Sequence, residues 1–149
     1  MELTKSLVAF FQSSISPLVL ISGVGLILLS LTNRLARTID RSRGLVADIE
    51  KSNLTQKEID NKKVQLKILV KRSYILKYSI GSISFSILSS SLIIPVLLIM
   101  NLFQINLEAL GITFFILSIS GIITSALFLF ADVNLTLKAL EYEVADHIK

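Results

Sequence analysis

The sequence has no cysteine, no tryptophan, one histidine and only two prolines in 149 residues. Without thiols there is no disulfide framework and no thiolate to act as nucleophile or metal ligand. The single histidine, His147, is near the C-terminus, where a solvated side chain is expected, and no metal-ligand spacing surrounds it. No base is available to activate any of the serines, so Ser16-Pro17 is not read as a nucleophile motif. A glycine-rich phosphate loop is also missing, because Gly23-x-Gly25 sits inside an apolar run as a packing feature. The sequence therefore predicts no catalytic residue, no cofactor and no metal: the protein is not an enzyme.

Charge is scarce as well. Charged residues make up 17% of the chain, against about 25% in a typical soluble domain. None occurs from Ser6 to Asn33, from Tyr78 to Leu107, or from Ala109 to Ala131. Each window exceeds the roughly 20 residues a helix needs to cross a bilayer core. Three such helices in one small chain would have nothing to cover them in water. The expected fold is thus an all-α integral membrane protein, a single membrane domain over 1–149. Its three transmembrane helices are placed at about 14–33, 79–101 and 110–131. The first window is too long for a signal-peptide core, Pro17 interrupts its start, and no A-x-A-like cleavage site precedes the arginines, so it is kept as a span.

The charges that are present cluster. Twelve of the fifteen basic residues lie between Arg34 and Lys77, with five acids among them. Lysine and arginine excess in short loops marks the cytoplasmic side. The short stretch Leu102–Glu108 has neither. This predicts an outside N-terminus, a cytoplasmic insert over about 34–77, a short external turn and a cytoplasmic C-terminus.

The insert reads as an antiparallel helical hairpin between the first and second spans. Leu35, Ile39, Ser42, Val46 and Ile49 form a heptad-like stripe on the first arm. Ser52 and Asn53 are turn residues, Thr55 with Glu58 makes a capping box, and Leu54 is a candidate staple. The second arm should turn Ile59, Leu66 and Val70 inward. The arms Arg34–Glu50 and Gln56–Lys77 come to about 25 and about 33 Å at the helical rise. No proline separates either arm from its span, so two long helices are expected to run on continuously. No segment reads as a strand and no internal repeat is evident.

Within the spans, small residues mark the expected contacts. The first span has Ser16, Gly23 and Ser30 at seven-residue steps, continued by Arg37 and Gly44. The second has Ser79, Ser82, Ser86, Ser89 and Ser90 within about 100° of arc, with Asn101 just beyond it. Pro95 should kink this helix. The third has Thr113, Ser120 and Thr124 on one face, and Gly121 with Ser125 on another. The serine face fits two readings: helix packing, which serine enrichment alone favours, or a polar pore lining, which in a three-span chain needs a ring of subunits.

No ionisable group lies in mid-membrane, which counts against a proton-coupled transporter. Asp132 closes the third span and is expected to cap the interface or to pair with an arginine near its counterpart on the first. Those arginines lie in "LTNRLARTIDRSR". Arg34, Arg37 and Arg41 fall within about 60° of arc, and Asp40 lies three residues from Arg37 and from Arg43. Topology alone accounts for a basic anchor, and anionic lipids at the cytoplasmic face add about 1 kcal/mol per basic residue. Nucleic-acid binding is not expected, because the basic stretch has few aromatics and abuts the membrane. The spacing of Asn33, Arg37 and Asp40 suggests an ordered polar network that takes in Arg34, Arg41 and Asp132.

The string "ISPLVLISGVGLILLSLTNRLARTIDRSR" resembles the opening of the bacterial membrane-protein family catalogued as domain of unknown function 2721. The ending "LFLFADVNLTLKALE" is similar to that family's closing segment, in which an acid follows the last span. The resemblance implies a small bacterial inner-membrane protein and singles out Asn33, Arg34, Arg37, Asp40 and Arg41. It implies no particular activity. The leading expectation is a non-enzymatic homo-oligomer that forms an ion-conducting pore. The alternative is a membrane scaffold or accessory subunit whose basic hairpin docks a partner protein or anionic lipid.

Overall fold

The computed structural model describes the backbone of residues 2–50 and 55–147, and the side chains of residues 8–50 and 55–137. Ser52, Asn53 and Leu54 of the expected turn lie outside the described residues, as does the side chain of His147. The described chain is three helices: α1 (Glu2–Glu50), α2 (Gln56–Phe103) and α3 (Glu108–His147). Each is long and apolar enough to cross a membrane. Long apolar runs rich in leucine and isoleucine favour helix in a membrane, because a helix pairs its backbone N–H and C=O groups within its own segment. The charged segments simply continue the same helices, as the lack of breakers predicts. Pro17 and Pro95 both lie inside helices. Pro17 therefore does not interrupt the first apolar run, because α1 passes through it.

Side chains explain where the helices begin and end. Glu58 accepts hydrogen bonds from the Thr55 amide (2.8 Å) and the Thr55 hydroxyl (2.7 Å). This is the return half of a capping box; the threonine hydroxyl donates to the glutamate instead of accepting from the helix amides. These bonds, the hydroxyl's first, hold the Glu58 carboxyl below its ordinary value. Between α2 and α3 the chain turns through residues 104–107, with Gln104 at φ 54° and its side-chain amide donating to the Asn101 carbonyl (3.0 Å). Asn106 then accepts from the Glu108 amide (3.1 Å), and Glu108 puts its charge at the helix N-terminus.

The chain divides into two compact units: Met1–Leu29 with Gly81–Ser125, and Ser30–Ile80 with Ala126–Lys149. In the first unit α1 buries Ser14, Pro17 and Val24, α2 buries Ile83, Ser86, Ser89, Ser90, Ile93 and Val96, and α3 buries Ser118, Gly121 and Ser125. In the second unit the buried positions are Leu31 and Thr38 of α1, Leu69, Leu76 and Ser79 of α2, and Asp132 of α3. Seven-residue steps recur in both, as in Pro17–Val24, Ile83–Ser90, Ser118–Ser125, Leu31–Thr38 and Leu69–Leu76. That period is the signature of helices packed along a near-parallel seam. Outward positions are strongly apolar, including Val19, Leu26, Leu88 and Leu127. Apolar surface on this scale needs a lipid or protein cover.

Several expected faces are rotated. On α1 the inward line is Leu31–Thr38, with Leu35, Ser42 and Ile49 half-buried beside it, whereas Ile39 and Val46 are exposed. On α2 Ile59 and Leu66 are half-buried but Val70 is exposed, and Leu69 and Leu76 take the burial. Both shifts arise because the inward line is set by where the partner helices lie, and a pattern of apolar residues defines such a line only to within a residue. The stripe Ser16, Gly23, Ser30, Arg37 and Gly44 does not turn inward, and all five of its residues are exposed. Among the described residues nothing lies within 4 Å of a Cβ built on Gly23, Gly25 or Gly44.

Candidate functional site

Two polar arrangements stand out, one in each unit. The first is the serine seam. Ser86 donates its hydroxyl to the Ser118 carbonyl (2.7 Å) and lies 3.1 Å from the Ser118 hydroxyl. Three residues along α3, Gly121 packs directly on α2: a Cβ there would sit 2.9 Å from the Ser82 carbonyl oxygen and 2.9 Å from the Ser86 Cβ. The hydroxyls thus carry a hydrogen bond across a seam in which one backbone touches another, the usual service of small polar residues between membrane helices. Ser86, Ser89 and Ser90 are buried, as is Ser79 in the other unit, while Ser82 and Asn101 are half-buried. The Ser90 hydroxyl is buried without a hydrogen-bond partner. On α3 the two faces read from the sequence separate cleanly: Gly121 and Ser125 face inward. Ser120 and Thr124 are exposed, and with Thr113 they donate back to carbonyls of their own helix at 2.7–2.8 Å.

The second arrangement is charged and belongs to the other unit. Asp132 of α3 is fully buried. Arg72 of α2 donates from Nε to Asp132 Oδ1 at 3.0 Å. Arg34 of α1 places Nη2 3.6 Å from Oδ2, close enough for an ion pair but too long for a hydrogen bond. Oδ2 itself is buried and accepts no hydrogen bond. The acid has no exposed side-chain surface, whereas Arg72 is 18% and Arg34 31% exposed. One carboxylate therefore connects all three helices of this unit. Close by on the same helices, Tyr78 stacks on Phe128 with ring centroids 5.9 Å apart, and Thr136 donates to the Asp132 carbonyl (2.8 Å). A third ion pair, Lys62 Nζ to Asp48 Oδ2 at 3.3 Å, joins the end of α1 to the start of α2.

Of the residues the sequence groups around "LTNRLARTIDRSR", Arg34 and Asp132 are brought together. Asn33, Arg37, Asp40 and Arg41 are exposed on α1. In the sequence Arg72 is one basic residue among many. A signal for it exists: seven residues before Ser86 is Ser79, and seven before that is Arg72, on the same helix face. Among the described residues no group of three or more His, Cys, Asp or Glu side chains is placed to hold a metal ion.

The arrangement is that of a multi-helix protein with three helices suited to crossing a membrane and a buried charged node tying them together. The chain belongs to the family described as "Protein of unknown function (DUF2721)", which matches residues 14–142. No curated protein and no solved structure matches it.

Proposed function

We propose that this chain is a non-enzymatic multi-pass protein of the bacterial inner membrane that serves as a scaffold or accessory subunit. Its N-terminus lies outside, its C-terminus in the cytoplasm, and the basic segment 34–77 forms a cytoplasmic hairpin against anionic lipid headgroups. The observation that carries this reading is the division of the basic residues. Arg34, Arg72 and Lys62 pair with acids of the chain, whereas Arg37, Arg43, Lys63, Lys67 and Lys71 are exposed. A surplus of exposed positive charge on one segment follows the positive-inside rule and attracts anionic lipid. The Lys62–Asp48 ion pair supports the antiparallel hairpin, since it joins residues on either side of the expected turn.

A second reading, a homo-oligomer, is favoured by the open stripe of Ser16, Gly23 and Ser30 on α1. An ion-conducting path through such an assembly would have to run between copies. The serine face gives it no support, because those serines are spent on packing within the chain.

In nanodiscs, spin-labelled phosphatidylglycerol should be immobilised by the protein more than spin-labelled phosphatidylcholine at low salt. The excess should fall at high ionic strength, where the screening length is about 3 Å at 1 M salt, and in the variant K63Q/K67Q/K71Q. Equal immobilisation of the two lipids at low salt would show that the basic segment does not face anionic headgroups.

A further inference from the structure

Among the described residues the node at Asp132 is not charge-balanced. Two guanidinium groups meet one carboxylate, which leaves a surplus positive charge beside a fully buried acid. The donor count is unequal too: two arginines offer ten N–H groups, and a carboxylate has about four acceptor positions. Arg34 makes the weaker contact, and it is the more exposed of the two. The acid is sealed in while the cations reach the surface, so an incoming anion would meet arginine first.

The node also has a defined place along the chain. Arg34 is the first charged residue after the uncharged window ending at Asn33, and Asp132 is the first after the window ending at Ala131. Arg72 lies six residues before Tyr78, where the remaining window begins, which is less than two turns of helix. On all three helices the node thus falls where apolar sequence gives way to charged sequence. In a bilayer this is the depth of the lipid phosphates. Tyr74 and Tyr78 are exposed at the same level of α2, as amphipathic rings are at a membrane interface.

We infer that Arg34 and Arg72, steadied by Asp132, form a discrete site for one anionic phosphate headgroup, a phosphate ester carrying no compensating ammonium. Asp132 orients the Arg72 fork through its Nε, and the surplus charge is neutralised by the phosphate. Asp132 opposes the anion, but two cations outweigh it, and arginine's planar fork suits the oxygens of a phosphate. The site rests on the orientation proposed above and sharpens it: the exposed lysines attract anionic lipid diffusely, whereas the node holds a single molecule.

Native mass spectrometry of the detergent-released protein tests this with phosphatidylglycerol, phosphatidylcholine and inorganic phosphate added separately. The wild-type chain should retain one phosphatidylglycerol that phosphatidylcholine does not replace. Arg34→Gln should weaken that retention about tenfold, the worth of a charge-assisted contact. Arg34→Lys, which keeps the charge but loses the fork and is the gentler change for the fold, should weaken it by about threefold or more. K63Q/K67Q/K71Q should keep the one tightly held lipid while losing the salt-sensitive excess. Displacement of the lipid by millimolar inorganic phosphate would show that the site reads the phosphate group alone. Failure of phosphate to displace it would show that the lipid's remaining structure contributes; both results keep the site. Retention in Arg34→Gln and Arg34→Lys equal to wild type would overturn it, even if the diffuse preference for anionic lipid stands.

Discussion

Arg72→Met should destabilise the protein by about 3 kcal/mol, the lower end of the cost of breaking a buried ion pair by removing one partner. The asymmetry in burial sets this expectation. Asp132 has no exposed surface, so once Arg72 is gone it cannot recover its hydration, and Arg34 approaches it only at 3.6 Å. The reverse change should be milder. Asp132→Asn removes the sealed charge and leaves two partly exposed arginines, whose long side chains can carry their heads toward water. Arg34→Met should be the mildest, within about 1 kcal/mol, because the contact it loses is long and partly exposed. Thermal midpoints of the three variants in a single detergent give the order directly. An Arg72→Met protein as stable as wild type would mean that the node does not hold the helices.

Gly121→Ala should cost about 2 kcal/mol, within the usual range for overpacking, although alanine is the better helix former by about 1 kcal/mol. The new methyl group would be 2.9 Å from the Ser82 carbonyl oxygen, 2.9 Å from the Ser86 Cβ and 3.3 Å from the Ser86 Cα. None of these is the far end of a flexible side chain, so relief requires α2 and α3 to move apart at the Ser86–Ser118 hydrogen bond. Gly44→Ala is the internal control. Nothing lies within 4 Å of its Cβ position, so it should gain up to about 1 kcal/mol from helix propensity. Thermal melts of the pair separate a packed glycine from an open one. If Gly121→Ala and Gly44→Ala behaved alike, the close approach of α2 to α3 would be wrong.

The outline of the fold is readable in the sequence because it depends mainly on composition. Three uncharged windows longer than a bilayer core, and no proline between them and the charged arms, leave little alternative to long continuous helices. The Thr55–Glu58 contact is readable for a similar reason, since its chemistry is local. What the sequence does not disclose is which side of each helix faces in. Ser16, Gly23, Ser30, Arg37 and Gly44 make a regular stripe, yet all five are exposed. Small residues permit close approach without specifying the partner. The charged node is half legible. Asp132 and Arg34 each end an apolar run, so their pairing follows from depth. Arg72 lies within a basic segment, where charge alone cannot single it out; its distinction is its place in the seven-residue series with Ser79 and Ser86. Asn33, Arg37 and Asp40 are close to Arg34 in sequence, but all three are exposed on α1.

The surface assignments all depend on the basic segment facing the cytoplasm, and the absence of cysteine makes that testable. Single cysteines at two exposed positions, Ile105→Cys between α2 and α3 and Lys63→Cys in α2, can be challenged with a membrane-impermeant maleimide. Ile105→Cys should label on intact cells, and Lys63→Cys only after the membrane is opened. Labelling of Lys63→Cys on intact cells, with Ile105→Cys protected, would contradict the account.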